Sequence, residues 1–385
     1  MLKNSFLVCI SLSVAIVLAE IGLRLAGIAY PEFNRLDQTL GWAPRPYAEG
    51  FHALEGRAWM KINAAGFRDI DHAKKKPQKT FRIAILGDSF AEGREVTLDK
   101  VFWKVMEQRL QSCSSAPKQK YEVLGFAVNG YGTAQQFIVL KNDVWQYQPD
   151  AIMLAFFTGN DVTNNSQALD GHKDRPYFKI QKKSLVLEND HLKSNAFKTR
   201  KSWANLKHGI YNQMRTVQVA RQAYKKIRYS KKNEALPIEE QLSAGLNNDI
   251  YTPPTTRAWK QAWQVTESLI EEMNTEIKRH KNVRFWITTL STPAQAHPDP
   301  RVRQSIQNSL GVSDLFYPDR RIEQFAKSLS IPFLQLAPQL QKYAGINNLR
   351  LHGSPSFAGG HWNKKGHQTA GEYLANFICQ AQKKS

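Results

Sequence analysis

Four short polar stretches carry residue types that could do chemistry. They are GDSF (87–90) with Ser89, VNGYGT (128–133) with Gly130, TGND (158–161) with Asn160, and HWNKKGH (361–367) with His361. A serine hydroxyl attacks only when a base takes its proton, and imidazole is the commonest base. Backbone amides and an asparagine amide can hold a developing oxyanion. Taken singly, each stretch has an ordinary reading. Ser89 reads as a helix cap, Gly130 and Gly132 as turn glycines, Asn160 as a turn residue and His361 as a solvated histidine. The stretch FRIAILGDSFAEGREV (81–96) therefore poses a question: nucleophile or cap? It also carries two further acids, Glu92 and Glu95.

The elements that would position these residues are legible. FRIAIL (81–86), YEVLGFAV (121–128) and AIMLAFF (151–157) read as apolar strands. A helix over Asp99–Gln111 and another from a Thr133 cap to about Tyr147 alternate with them. VRFWITTL (283–290) and IPFLQL continue the pattern, after a helix from the Thr255-Thr256 start to about Lys281. Helices over Asp319–Ser328 and Gly366–Gln380 complete it. This rhythm predicts an α/β fold: a flavodoxin-like three-layer α/β/α sandwich around a mostly parallel five-stranded sheet. In such sheets ligands gather at the carboxyl ends of the strands, where all four stretches fall.

In combination and order, the four stretches resemble the blocks of the SGNH/GDSL hydrolase superfamily, in its membrane-anchored bacterial form. The resemblance covers about Phe81–Asn160 and Val283 to the end, and KINAAGFRD in the lead-in adds to it. It implies Ser89 as nucleophile and His361 as base. It also implies the Ser89 amide, the Gly130 amide and the Asn160 side chain as oxyanion donors, with Asp88 and Asp161 structural near the site. One position departs from the pattern. The family places an aspartate three residues before the histidine; here Ala358 stands there, and no acid occurs between Glu323 and His361. Either a Ser-His dyad works with a carbonyl or a distant acid orienting His361, or catalysis is weak. Reading His361 and His367 as metal ligands fits poorly with their spacing, so neither a metal nor a cofactor is expected.

The resemblance also divides the chain. Residues 1–28 form a signal anchor or signal peptide, 29–80 an extended lead-in, 81–160 and 255–385 the core, and 161–254 a basic insertion beside the active-site edge. The apolar run Phe6–Ala19 has the length of an export signal, yet apolar character resumes after Glu20, which favours an uncleaved anchor. Cys9 does not fit a lipoprotein box. The formal net charge of +20 favours anionic partners. Much of the excess lies between Lys173 and Lys232, where the acids are Asp174, Glu188 and Asp190. One long basic helix is predicted there, about 199–229, with Trp203, Leu206, Ile210, Met214 and Val217 on one face. A solvated face, contact with anionic lipid and steering of an acidic substrate all remain open for it; no nucleic-acid motif is present. In a flavodoxin-like fold the first and last helices share a face, so Cys113 and Cys379 are expected to pair. The function expected is a periplasmic serine esterase or O-acyltransferase acting on O-acyl, such as O-acetyl, groups of an envelope glycan. The alternative is a non-catalytic polysaccharide-binding protein on the same fold.

Overall fold

The computed structural model describes residues 2–113, 120–182, 184–234, 236–354 and 357–383. Lys183, within the basic stretch, lies outside them. An apolar helix, α1 (Leu2–Leu25), leads into two antiparallel hairpins, β1–β2 (Asn34–Asp37, Gly41–Pro44) and β3–β4 (Glu49–His52, Ala58–Lys61). The core then begins: β5 (Thr80–Gly87), α2 (Ser89–Glu92), α3 (Phe102–Leu110), β6 (Lys120–Ala127), α4 (Thr133–Val139) and β7 (Ala151–Phe157). The insertion holds α5 (Asp161–Asn164), α6 (Gln167–Asp170), hairpin β8–β9 (Tyr177–Gln181, Ser184–Glu188), α7 (Asn195–Gln213), α8 (Arg215–Glu234) and α9 (Ile238–Leu242). The core resumes with α10 (Arg257–Lys278), β10 (Arg284–Leu290), α11 (Pro300–Leu310), α12 (Tyr317–Ser328), β11 (Phe333–Gln335) and α13 (Leu336–Asn347). Hairpin β12–β13 (His352–Ser354, Phe357–Trp362) and α14 (Lys364–Lys383) close the chain.

The central sheet is wholly parallel, in the order β11-β10-β7-β5-β6. Strand β5 shows why. Ile83 and Ile85 point into one apolar cluster with Trp103, Met106, Leu340 and Leu374. Ala84 and Leu86 point into the other, with Phe137, Leu269, Ile270 and Met273. A strand that buries both faces must read as a continuous apolar run and be covered by helices on each side. Helices α3, α13 and α14 cover one face, and α4, α10 and α12 the other. The strand order reverses between β5 and β7, so their carboxyl ends open a crevice there. The disulfide Cys113–Cys379, with Cα atoms 5.9 Å apart, ties the chain after α3 to the end of α14, at the edge away from that crevice.

Several sequence expectations change. The single basic helix is two: α7 and α8 meet at Met214, which leaves helical geometry at φ −111°, ψ 91°. Periodicity survived the break because the exposed stripe continues across it. Thr133 is the first helical residue of α4, not its cap; Gly132 precedes it. The lead-in is paired into hairpins rather than merely extended. Helices α11 and α13 and hairpin β12–β13 had no strong sequence signature. Pro300 at the start of α11, after the Asp299 cap that accepts from the Arg301 N–H, is its one local start signal.

Candidate active site

Strand β5 ends at Gly87, and the chain turns into α2 at once. Asp88 is the cap: its buried carboxylate accepts the Phe90 N–H at 2.9 Å. Burial, before all else, pushes its carboxyl up to about 6. Ser89, freed from capping, is the first residue of the helix, and its hydroxyl lies 2.8 Å from His361 Nε2. A first-turn N–H has no partner inside its helix, so the Ser89 amide is available to a ligand. A Cβ at Gly87 would lie 2.6 Å from the Ala91 Cβ, so glycine lets helix and strand meet this closely.

His361 sits on β13, steadied by the Phe90 ring 4.9 Å from its own. Phe90 in turn stacks on Phe157 at 4.0 Å. His361 Nδ1 is 2.8 Å from Glu55 Oε2, and the His361 backbone N–H donates to the same oxygen at 2.8 Å. Glu95 Oε1 stands 3.4 Å from Nδ1. The acid absent at Ala358 is therefore supplied from the lead-in, by the loop joining β3 to β4. Close approach requires Gly360, with φ +87°: a Cβ there would fall 2.4 Å from Glu55 Oε2. Ala358 instead turns its N–H to Gln241 Oε1 at 3.0 Å.

The electrostatics follow from this clustering. Burial opposes a charge on His361, but Glu95 and Glu55 together outweigh it and push the imidazole up to about 10. Burial also resists charge on Glu55; His361 overcomes it and holds that carboxyl down at about 2. Burial raises Glu95. The two carboxylates thus favour the protonated ring, and only the neutral ring can take a proton from Ser89.

Two further predicted residues line a cavity of about 290 Å³ beside Ser89 and His361: Gly130 and Asn160, with Phe157, Leu246 and Pro293 among its other walls. Gly130 adopts φ +77°. The Trp42 indole N–H donates to the Asn129 carbonyl at 3.0 Å. In a trans peptide the following N–H points the opposite way, so this bond aims the Gly130 amide away from Trp42. Arg175 holds the Gly130 carbonyl at 2.6 Å. Asn160 precedes α5, and its Oδ1 has no protein partner among the described residues. Asp161 is buried, and its carboxylate accepts the Phe157 N–H at 2.9 Å; burial raises its pKa well above the ordinary range. His367 packs behind the site, its ring 5.7 Å from that of Trp362, and its Nδ1 accepts the Phe102 N–H at 3.3 Å.

The sequence reading missed Glu55, Glu95 as a histidine partner, Trp42, Arg175 and Arg68. Arg68, in the lead-in motif KINAAGFRD, is 2% exposed. It donates to the carbonyls of Glu92, Gly93 and Val96, at the end of α2 and just after it. Only the absence of a nearby acid hinted that one must arrive from elsewhere. Glu55, Glu95 and His361 also converge closely enough to hold a metal ion, their ligand atoms all within 4.8 Å of one another.

No family model matches the chain. A segment is 24% identical over 132 residues to the non-reducing polyketide synthase rdc1 of Metacordyceps chlamydosporia, covering 34% of this chain and 6% of that protein. Among solved structures, the acetyl xylan esterase AlAXEase is 12% identical with a TM-score of 0.38, covering 78% of this chain and 99% of its own. A catalytic mutant of Axe2, an acetylxylan esterase from Geobacillus stearothermophilus, is 10% identical at a TM-score of 0.38, covering 80% of this chain and 96% of that one. A carbohydrate acetylesterase family member from Sinorhizobium meliloti is 11% identical at 0.38, covering 79% and 100%. Likenesses at this level do not assign an activity; the side-chain geometry has to.

Proposed function

We propose that this chain is a serine O-acyl esterase or O-acyltransferase of the SGNH/GDSL type. It acts on short acyl groups, such as acetyl, carried by an envelope polysaccharide, and α1 anchors it outside the cytoplasm. One observation carries the catalytic reading: the chain of contacts from Ser89 Oγ through His361 to Glu55, at 2.8 Å on each side of the imidazole. Ser89 Oγ attacks the ester carbonyl as its proton passes to His361 Nε2. Glu55 keeps the ring in place and stabilises the imidazolium that forms. The oxyanion is met by the Ser89 and Gly130 amides and the Asn160 side chain. His361 then returns the proton to the leaving alkoxide. Water, or an acceptor hydroxyl, releases the acyl group from Ser89 by the same path in reverse.

The small cavity and its apolar wall of Phe157, Leu246 and Pro293 suit a short acyl chain. An apolar 22-residue segment of α1 with a mean hydropathy of 2.5 supports the anchor. The Cys113–Cys379 disulfide supports an oxidising compartment. The missing aspartate gave the non-catalytic alternative its weight, and Glu55 removes that support.

A fluorophosphonate probe should label the full-length protein and fail to label Ser89→Ala; p-nitrophenyl acetate turnover should vanish in Ser89→Ala and His361→Ala. A folded parent protein that neither labels nor turns over ester would refute the reading. The convergence of Glu55, Glu95 and His361 favours a second one, a metal centre. Activity lost to a chelator and regained with zinc would replace the proton relay with it.

A further inference from the structure

We propose that the insertion helices α7 and α8 lie on the surface of an anionic lipid bilayer, the one α1 enters. This rests on reading α1 as a membrane segment. Trp203, Leu206 and Ile210 are exposed at one helical spacing on α7, and Val217, Tyr224 and Ile227 repeat it on α8. Trp203 is 68% exposed and Tyr224 64%. Single exposed apolar residues are ordinary, but a continuous stripe over two helices marks a contact surface.

The two stripes meet at the Met214 break, and α1 fastens to that same point. Glu20 accepts the N–H groups of Arg215 and Thr216, each at 3.0 Å, and the Thr216 hydroxyl at 3.2 Å. Arg24 donates to the Gln213 carbonyl. The stripes therefore start beside the last turns of the apolar helix, at the level where it would leave hydrocarbon. Exposed bases flank them: Lys207 between Trp203 and Ile210, and Arg228 and Lys231 one turn from Tyr224 and Ile227 on the same side of α8. Apolar side chains, interfacial aromatics and flanking bases are what a helix lying in an anionic headgroup layer requires. A second copy of the chain suits the face less well, because a two-fold contact would bring like-charged bases together.

The test uses full-length protein in vesicles with brominated acyl chains, with or without phosphatidylglycerol. An environment-sensitive dye is attached to one thiol at a time. Cys9, the free cysteine, is exposed on α1 and reports its insertion. Ile210→Cys in a Cys9→Ser background reports the stripe. Ile346→Cys in the same background is the control, since Ile346 is an isolated apolar residue on α13, 73% exposed. The expected result is quenching at Cys9 in both vesicle types, at Ile210→Cys only with phosphatidylglycerol, and at Ile346→Cys in neither. Adding Lys207→Ala or Arg228→Ala should lower the docked-to-free ratio about fivefold per base. Quenching at Cys9 without quenching at Ile210→Cys would overturn the docking and leave the anchor standing. No quenching at either would overturn both. Equal quenching with and without phosphatidylglycerol would overturn the anionic requirement. A dye at Ile210→Cys shielded from water but unquenched, in a protein of dimer mass, would give the face to a second copy.

Discussion

The lead-in and the basic insertion both flank the α/β core, and they use their charges in opposite ways. The lead-in turns its polar groups inward. Glu55 meets His361, Arg68 is buried against the carbonyls after α2, and Trp42 fixes the peptide that carries the Gly130 amide. The insertion keeps most of its bases in solvent, with buried Arg175 as the exception on the Gly130 carbonyl. Buried charge must be paired, so it fixes geometry; exposed charge is screened and acts on whatever approaches the surface. Under the proposed function, the buried charges of the lead-in serve the reaction, and the exposed bases of the insertion serve where the protein sits.

Breaking the lead-in side should cost activity in proportion to what each residue touches. Glu55→Gln leaves the imidazole without its carboxylate and should lower kcat by about 10²–10⁴-fold on p-nitrophenyl acetate. A loss this large with normal thermal unfolding would separate it from misfolding. Asn160→Ala, a control within the core, should lower kcat by about 10²–10³-fold through the lost oxyanion donor. Trp42→Phe keeps an aromatic ring but loses the N–H bond to the Asn129 carbonyl and part of the indole's packing on Tyr131 and Arg175; a loss of about tenfold in kcat, with little change in KM, is expected.

Glu95→Gln should act mainly on pH dependence. Since the carboxylates raise His361 to about 10, kcat/KM in the parent should climb through the alkaline range as the base form appears. Removing one carboxylate should move that limb about 1–3 units to lower pH. An unmoved limb would mean Glu95 does not face the imidazole in solution. On the insertion side, Lys207→Ala and Arg228→Ala should leave turnover of a soluble ester unchanged; a loss there would blur the distinction between the two regions.

How much of this was legible in the sequence depended on whether a signal was local. Strand β5 announced itself because burial on both faces demands an unbroken apolar run. Ser89, Gly130, Asn160 and His361 could be singled out because each follows a readable strand or precedes a readable helix. Glu55 was not, because its role comes from a hairpin folding across the site. Nothing in ALEGR marks a catalytic acid, and the pairing of β3 with β4 that presents it is short. The Met214 break was hidden for a related reason: the apolar stripe continues through it, and periodicity cannot see a change of helix direction.

The central claim is that a lead-in carboxylate holds the catalytic histidine, and the Nδ1 proton of His361 reports on it directly. With isotope-labelled histidine, the parent protein should show a strongly deshielded ring N–H resonance, assigned by its loss in His361→Gln. It should disappear or move far upfield in Glu55→Gln and persist in Glu95→Gln. A resonance that Glu55→Gln leaves in place would contradict the account, because something other than the lead-in would then be orienting His361.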